Sequence, residues 1–125
     1  MYRKIILATA TSVFLLLSAV VSADPVSVVF TCELHDGKTK EDAMAVNAKW
    51  LKWARATGGS DEITSSYVST VIGDLGSFMW VDTYPDLTTW GKIADGDSGL
   101  DPEFDEVSKC SGNRMYRGEQ TVPAK

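Results

Sequence analysis

Histidine and cysteine are scarce in this sequence: His35, Cys32 and Cys110 are the full set. Two thiols and one imidazole fall short of a tetrahedral zinc set, so no metal and no cofactor is expected. No Cys-x-x-Cys pair, Ser–His–Asp order or glycine-rich nucleotide loop is present, and "GGS" and "GDLG" read as turns. Positive charge is short as well, with 12 Lys and Arg against 17 Asp and Glu and a net charge of −5. An acidic chain is a poor partner for nucleic acid or an anionic membrane. No internal repeat and no low-complexity tract divides the chain.

Long apolar runs are absent save one. "MYRK" is a short basic start, and an apolar run follows that is densest over Val13–Val21. "VSA" before "DP" is a small-residue cleavage pattern, so residues 1–23 read as a secretory signal cut after Ala23. The segment is short and carries Thr9, Thr11 and Ser12, which argues against an uncleaved anchor. No cysteine stands at the cut to take a lipid, so no stable membrane association is expected after cleavage. Loss of Arg3 and Lys4 leaves ten basic residues against 17 acidic ones, a net of −7. What remains, residues 24–125, is one small domain expected in the periplasm or outside the cell. Export makes a disulfide between Cys32 and Cys110 the default expectation.

"VSVVFTCEL" alternates, with Val26, Val28, Phe30, Cys32 and Leu34 on one face of a strand. Thr39 and Asp42 form a shortened capping box for a helix expected to run to about Ala56. At 100° per residue its apolar arc gathers Ala43, Val46, Trp50, Leu51 and Ala54, with Asn47 near the middle and Met44 and Trp53 at the edges. Ile63–Ile72 reads as a second strand, and "SFMWVDTY" as a third that completes a hairpin. Pro85 ends that strand and Asp86 caps a helix over "LTTWGKIA". Asp101 and Pro102 read as N-cap and first residue of a further helical piece through Cys110. "SGN" then reads as a turn and "RMYRGEQTV" as the last strand. The order β-α-β-β-α-β predicts a ferredoxin-like α+β fold, a four-stranded antiparallel sheet with two helices on one face.

With "NAKWLKW" on its first helix and the corner "VDTYPDLTTWGKI", the chain resembles small exported members of the dimeric α+β barrel superfamily. That resemblance implies a homodimer closed by facing sheets, with a cleft between helices and sheet in each subunit. The superfamily includes cofactor-free monooxygenases and haem-degrading enzymes. The haem-degrading relatives carry an asparagine on the first strand, and Val26–His35 has none.

The stretch "FMWVDTYPDLTTWGK" concentrates the candidates. Asn47, Trp50, Trp80, Asp82, Tyr84 and Trp90 are the expected lining of a cleft for a small apolar or aromatic molecule, since pockets are mostly apolar with a few placed polar groups. Asn47 could equally serve the sheet backbone. Asp82 could act as a base with a raised pKa, or stand paired with Arg114 or Arg117. His35 reads as an exposed loop residue, and as the best general acid–base if it lines the cleft. Asp95, Asp97, Asp101 and Glu106 fit the first, third, seventh and last positions of an EF-hand loop, but Gly99 and Leu100 stand where a ligand and the obligatory glycine belong. Three readings follow: a small-molecule-binding homodimer, a cofactor-independent monooxygenase using His35 or Asp82, and a structural homodimer without ligand.

Overall fold

The computed structural model describes residues 24–119 and 121–125; the expected signal segment lies outside them. The elements run β1 (Val26–Leu34), α1 (Lys40–Gly58), β2 (Thr64–Ser69), β3 (Ser77–Tyr84), α2 (Leu87–Ala94), α3 (Asp101–Val107) and β4 (Ser108–Arg117). They form one four-stranded sheet in the order β2-β3-β1-β4, and every pairing is antiparallel. This is the expected ferredoxin-like α+β arrangement, with the second helix broken into α2 and α3.

Local chemistry explains the boundaries. Thr39 and Asp42 close a reciprocal capping box at the start of α1, and Gly59, at φ 67°, caps its end in the left-handed region. A side chain there would be strained, which is why glycine ends the helix. Asp86 caps α2 by accepting from the Thr89 N–H at 2.6 Å.

The alternation of β1 and β3 turns Val26, Val28, Cys32, Phe78, Trp80 and Tyr84 into the core. From α1, Ala43, Val46 and Ala54 meet them, and Ile63 is fully buried just before β2. Trp50, Leu51, Trp53 and Trp90 pack around one half of this core, and Tyr67 and Phe104 around the other. The opposite face of the sheet is not covered by any helix of the described residues. Val29 and Val81 stand there half-buried, beside the exposed Met79 and Tyr116.

Boundaries differ from the sequence reading at β2, α1, α3 and β4, whose end is Arg117 and not Val122. β2 stops at Ser69 and does not reach Ile72, because the Thr70 hydroxyl bonds the Ser77 carbonyl at 3.1 Å and turns the chain away. α1 runs two residues past Ala56, to Gly58. Asp101 is the first residue of α3 and not its cap; Leu100 is the cap position, with no side-chain bond. Cys110 does not close a helix: α3 ends at Val107 and β4 begins at Ser108, so "SGN" lies inside the strand and not in a turn. Gly112, at φ 61°, sits where the register against β1 shifts at Phe30/Thr31, so its left-handed conformation makes a bulge.

Cys32 and Cys110 are direct cross-strand partners, and their sulfurs are bonded. Cys32 is buried at the centre of the sheet, whereas almost all of β4 is exposed.

Candidate functional site

A cavity of about 770 Å³ lies between the helices and the sheet. Its floor is the helix-facing side of β1 and β3, where Val28, Phe30, Trp80, Asp82 and Tyr84 project. α1 contributes Asn47 and Trp50, and α2 contributes Trp90 and Ile93. The structure thus brings Asn47, Trp50, Trp80, Asp82, Tyr84 and Trp90 to the wall of one cavity. The periodicities explain this: Trp80, Asp82 and Tyr84 alternate on one strand face, and Asn47 and Trp50 sit one helical turn apart.

A hydrogen-bonded relay crosses from helix to sheet. Asn47 donates its Nδ2 proton to the Ser65 hydroxyl at 2.9 Å, and Ser65 donates to Asp82 Oδ1 at 2.5 Å. Ser65 and Asp82 are register partners on β2 and β3, which is what places the hydroxyl against the carboxylate. Asn47 is 8% exposed and Asp82 is 5% exposed, so neither charge nor amide is offset by bulk water.

Burial pushes the Asp82 carboxyl up to about 6, and the Ser65 hydrogen bond opposes that rise. Tyr84, two residues along the same face, is pushed up by burial and by the negative charge of Asp82. Trp80, beside Asp82 on the floor, has a buried indole N–H with no acceptor among the described residues. Tyr67 and Phe78 stack at 4.2 Å between ring centres and both meet Trp80 edge-on. That aromatic triad fixes the indole plane.

His35 is not on this wall. It is exposed at the end of β1, and its Nε2 donates to the Asp105 carbonyl at 2.8 Å, so its ring serves the β1–α3 junction. Arg114 and Arg117 do not pair with Asp82. They lie on β4, and β1 separates β4 from β3. In the acidic stretch, Asp97 accepts from the Gly99 N–H and Glu106 bridges Lys38 at 3.5 Å. No group of three or more potential ligands is placed to hold a metal ion among the described residues.

The sequence reading missed part of the wall. Asp101, Phe104 and Asp105 of α3 and Asn113 and Met115 of β4 also line the cavity. The signal present was the four-residue spacing of Asp101 and Asp105, which puts both on one helix face. Starting the last strand at Arg114 hid Asn113, which faces Phe30 across the ladder.

No protein-family model and no curated protein matches the chain. Solved structures do share its fold. One is SnoaB, a cofactor-independent oxygenase from Streptomyces nogalater, at TM-score 0.60 and 13% identity, covering 82% of this chain and 100% of that one. A NIPSNAP family protein from Agrobacterium tumefaciens gives 0.55 at 18% identity, covering 80% and 90% of the two chains. A hydroxynitrile lyase from Passiflora edulis gives 0.53 at 11% identity, covering 82% and 99%. The fold these proteins share with the chain is the ferredoxin-like α+β one, on which different chemistries stand.

Proposed function

We propose that this chain is an exported, disulfide-bonded homodimer that binds a small, largely apolar aromatic molecule between its helices and its sheet. The observation that carries the reading is the cavity of about 770 Å³, walled by Trp50, Trp80, Tyr84 and Trp90 around the buried Asn47–Ser65–Asp82 relay. Its volume lies in the range of small-molecule sites, and its makeup is the usual one of apolar walls with few polar groups. The disulfide supports an oxidising compartment. The uncovered outer face of the sheet supports a partner subunit.

The test pairs two measurements on Asn47→Leu. The substitution removes the donor to Ser65 while roughly keeping side-chain volume. Native mass spectrometry of wild-type protein from its own host should reveal a bound small molecule. The variant should keep its fold and lose that molecule. A variant that loses thermal stability yet binds as before would assign Asn47 a structural role, and wild-type protein that carries nothing and quenches with no aromatic probe would defeat the reading.

One observation favours a second reading. Asp82 is a buried carboxylate at the cavity floor with a pKa raised to about 6, which makes it a stronger base than a solvated aspartate. Together with the fold shared with a cofactor-independent oxygenase, it supports removal of a proton from an activated ring carbon. The resulting carbanion would pass electrons to dioxygen, and loss of water from the hydroperoxide would turn a ring CH2 into C=O. Oxygen uptake with anthrone-type substrates, which carry such a ring CH2, abolished in Asp82→Asn, is the expected result. No uptake above the uncatalysed rate would leave the binding reading alone.

A further inference from the structure

The charge of the cavity narrows the class of molecule it takes. Three carboxylates line it: Asp82 on the floor, and Asp101 and Asp105 on α3. The cation among the lining residues is Arg114. Arg114 is the register partner of Val29, so its side chain leaves β4 on the opposite face of the sheet, where it also borders a depression beside Val29 and Tyr116. Tyr84, the remaining titratable group on the wall, is held neutral by burial and by Asp82. The facing residues of α1 and α2, Asn47, Trp50, Trp90 and Ile93, bring no charge.

The aromatic walls act in the same direction. Indole and phenol faces carry negative quadrupoles and attract a desolvated cation. Asp82 is 5% exposed and bonded through one oxygen by Ser65, with no cation bonded to it among the described residues. Opposite charge within a few ångströms is what a buried carboxylate lacks. Trp80, itself 4% exposed on the same floor, holds an indole N–H without an acceptor. As a donor it offers nothing to an ammonium, so the charge preference rests on the carboxylates and the aromatic faces.

We infer that the cavity selects an aromatic molecule carrying a protonated amine, with the ring among the tryptophans and the ammonium directed to Asp82 and the α3 carboxylates. This rests on the reading of the cavity as a small-molecule site and adds the charge of the ligand to it.

Three probes with one ring system test it by quenching of tryptophan fluorescence at pH 7.5: 1-naphthylmethylamine, 1-naphthalenemethanol and 1-naphthoate. The amine should bind at least about tenfold more tightly than the alcohol, a difference of about 1.4 kcal/mol, and the carboxylate should bind most weakly. Asp101→Asn with Asp105→Asn changes only exposed side chains, so the fold is kept; it should weaken the amine several-fold and leave the alcohol unchanged. Asp82→Asn should narrow the amine's advantage over the alcohol several-fold, leaving the share held by the α3 carboxylates. Equal affinities for amine and alcohol in the wild type, or a preference for the carboxylate, would overturn the inference while leaving the binding site standing. Failure of all three probes to bind would remove both.

Discussion

Asp82 is a carboxylate buried on the cavity floor, 5% exposed. Its carboxyl is raised from 3.8 to about 6 by burial, so the folded protein holds a proton there that the unfolded chain releases. The native state therefore binds more protons between about pH 4 and 6, and stability falls as pH rises through that window. Above it, ionised Asp82 destabilises the fold by about 3 kcal/mol, the shift converted at about 1.4 kcal/mol per decade. Asp82→Asn retains an acceptor for Ser65 and removes the charge. The variant should match the wild type near pH 4 and exceed it at pH 8 by about 2–3 kcal/mol in urea unfolding. A variant equally or less stable than wild type at pH 8 would mean that Asp82 is paired or hydrated in solution. Retaining so unfavourable a residue at a cavity floor is itself an argument for function, because stored strain of this kind clusters at sites that use it.

At the scale of elements, α1 and α2 meet through a glycine. A Cβ added at Gly58 would stand 2.8 Å from Ile63 Cδ1, 3.1 Å from Thr89 Cγ2 and 3.3 Å from Ile93 Cδ1. Alanine gains about 1 kcal/mol of helix propensity over glycine, but overpacking a closed core costs typically 1–3 kcal/mol. Ile63 is 0% exposed and cannot swing aside, so packing should win. Gly58→Ala is expected to lower stability by about 1–2 kcal/mol, and a thermal midpoint at or above that of the wild type would show that the contact relaxes. β4 is held differently. It is an exposed edge strand, and the bond to Cys32 ties it across a sequence separation of 78 residues. Cys110→Ala should cost about 4 kcal/mol in the chain-entropy model, and amide exchange should accelerate first over Ser108–Arg117. Uniform acceleration across all four strands would instead make the bond a global staple.

Those same two elements show where the sequence could be read. The capping chemistry of Thr39 and Asp86 is local, so both helix starts were legible, as were β1 and β3 from their alternation. Asn47 stood out because an amide on an apolar arc breaks the pattern of its neighbours. β4 was misplaced because its evidence is non-local: Gly112 looks like a turn until the bulge opposite Phe30/Thr31 is seen. Val71 and Ile72 suited a strand by propensity, yet they are 85% and 93% exposed, because β3 offers them no partner. The cavity residues of α3 and β4 depended on that boundary and were lost with it.

At the scale of the whole molecule, the sheet has one finished face and one bare one. Helices cover the side of Trp80 and Tyr84, whereas Val29, Val68, Met79, Val81 and Tyr116 lie on the side without helices. Four strands about 4.8 Å apart and about eight residues long span roughly 20 by 26 Å. With side-chain relief, that approaches the ~800 Å² per partner of a stable interface. A two-fold pairing would set this face against its own copy, with Val29 close to the centre because β1 is an inner strand. Val29→Asp tests the pairing with little harm to the protomer. The new carboxylate would stand beside Arg114, its register partner on β4, and could be solvated or paired in a monomer. In a dimer the same ion pair would be buried twice about the axis, where desolvation outweighs the Coulomb gain. Sedimentation velocity at micromolar concentration should therefore show a wild-type dimer and a folded Val29→Asp monomer with unchanged far-ultraviolet circular dichroism. A wild type that sediments as a compact monomer would leave the outer face without its partner and reject the homodimer, while the cavity, which lies on the other side of the sheet, would keep its own tests.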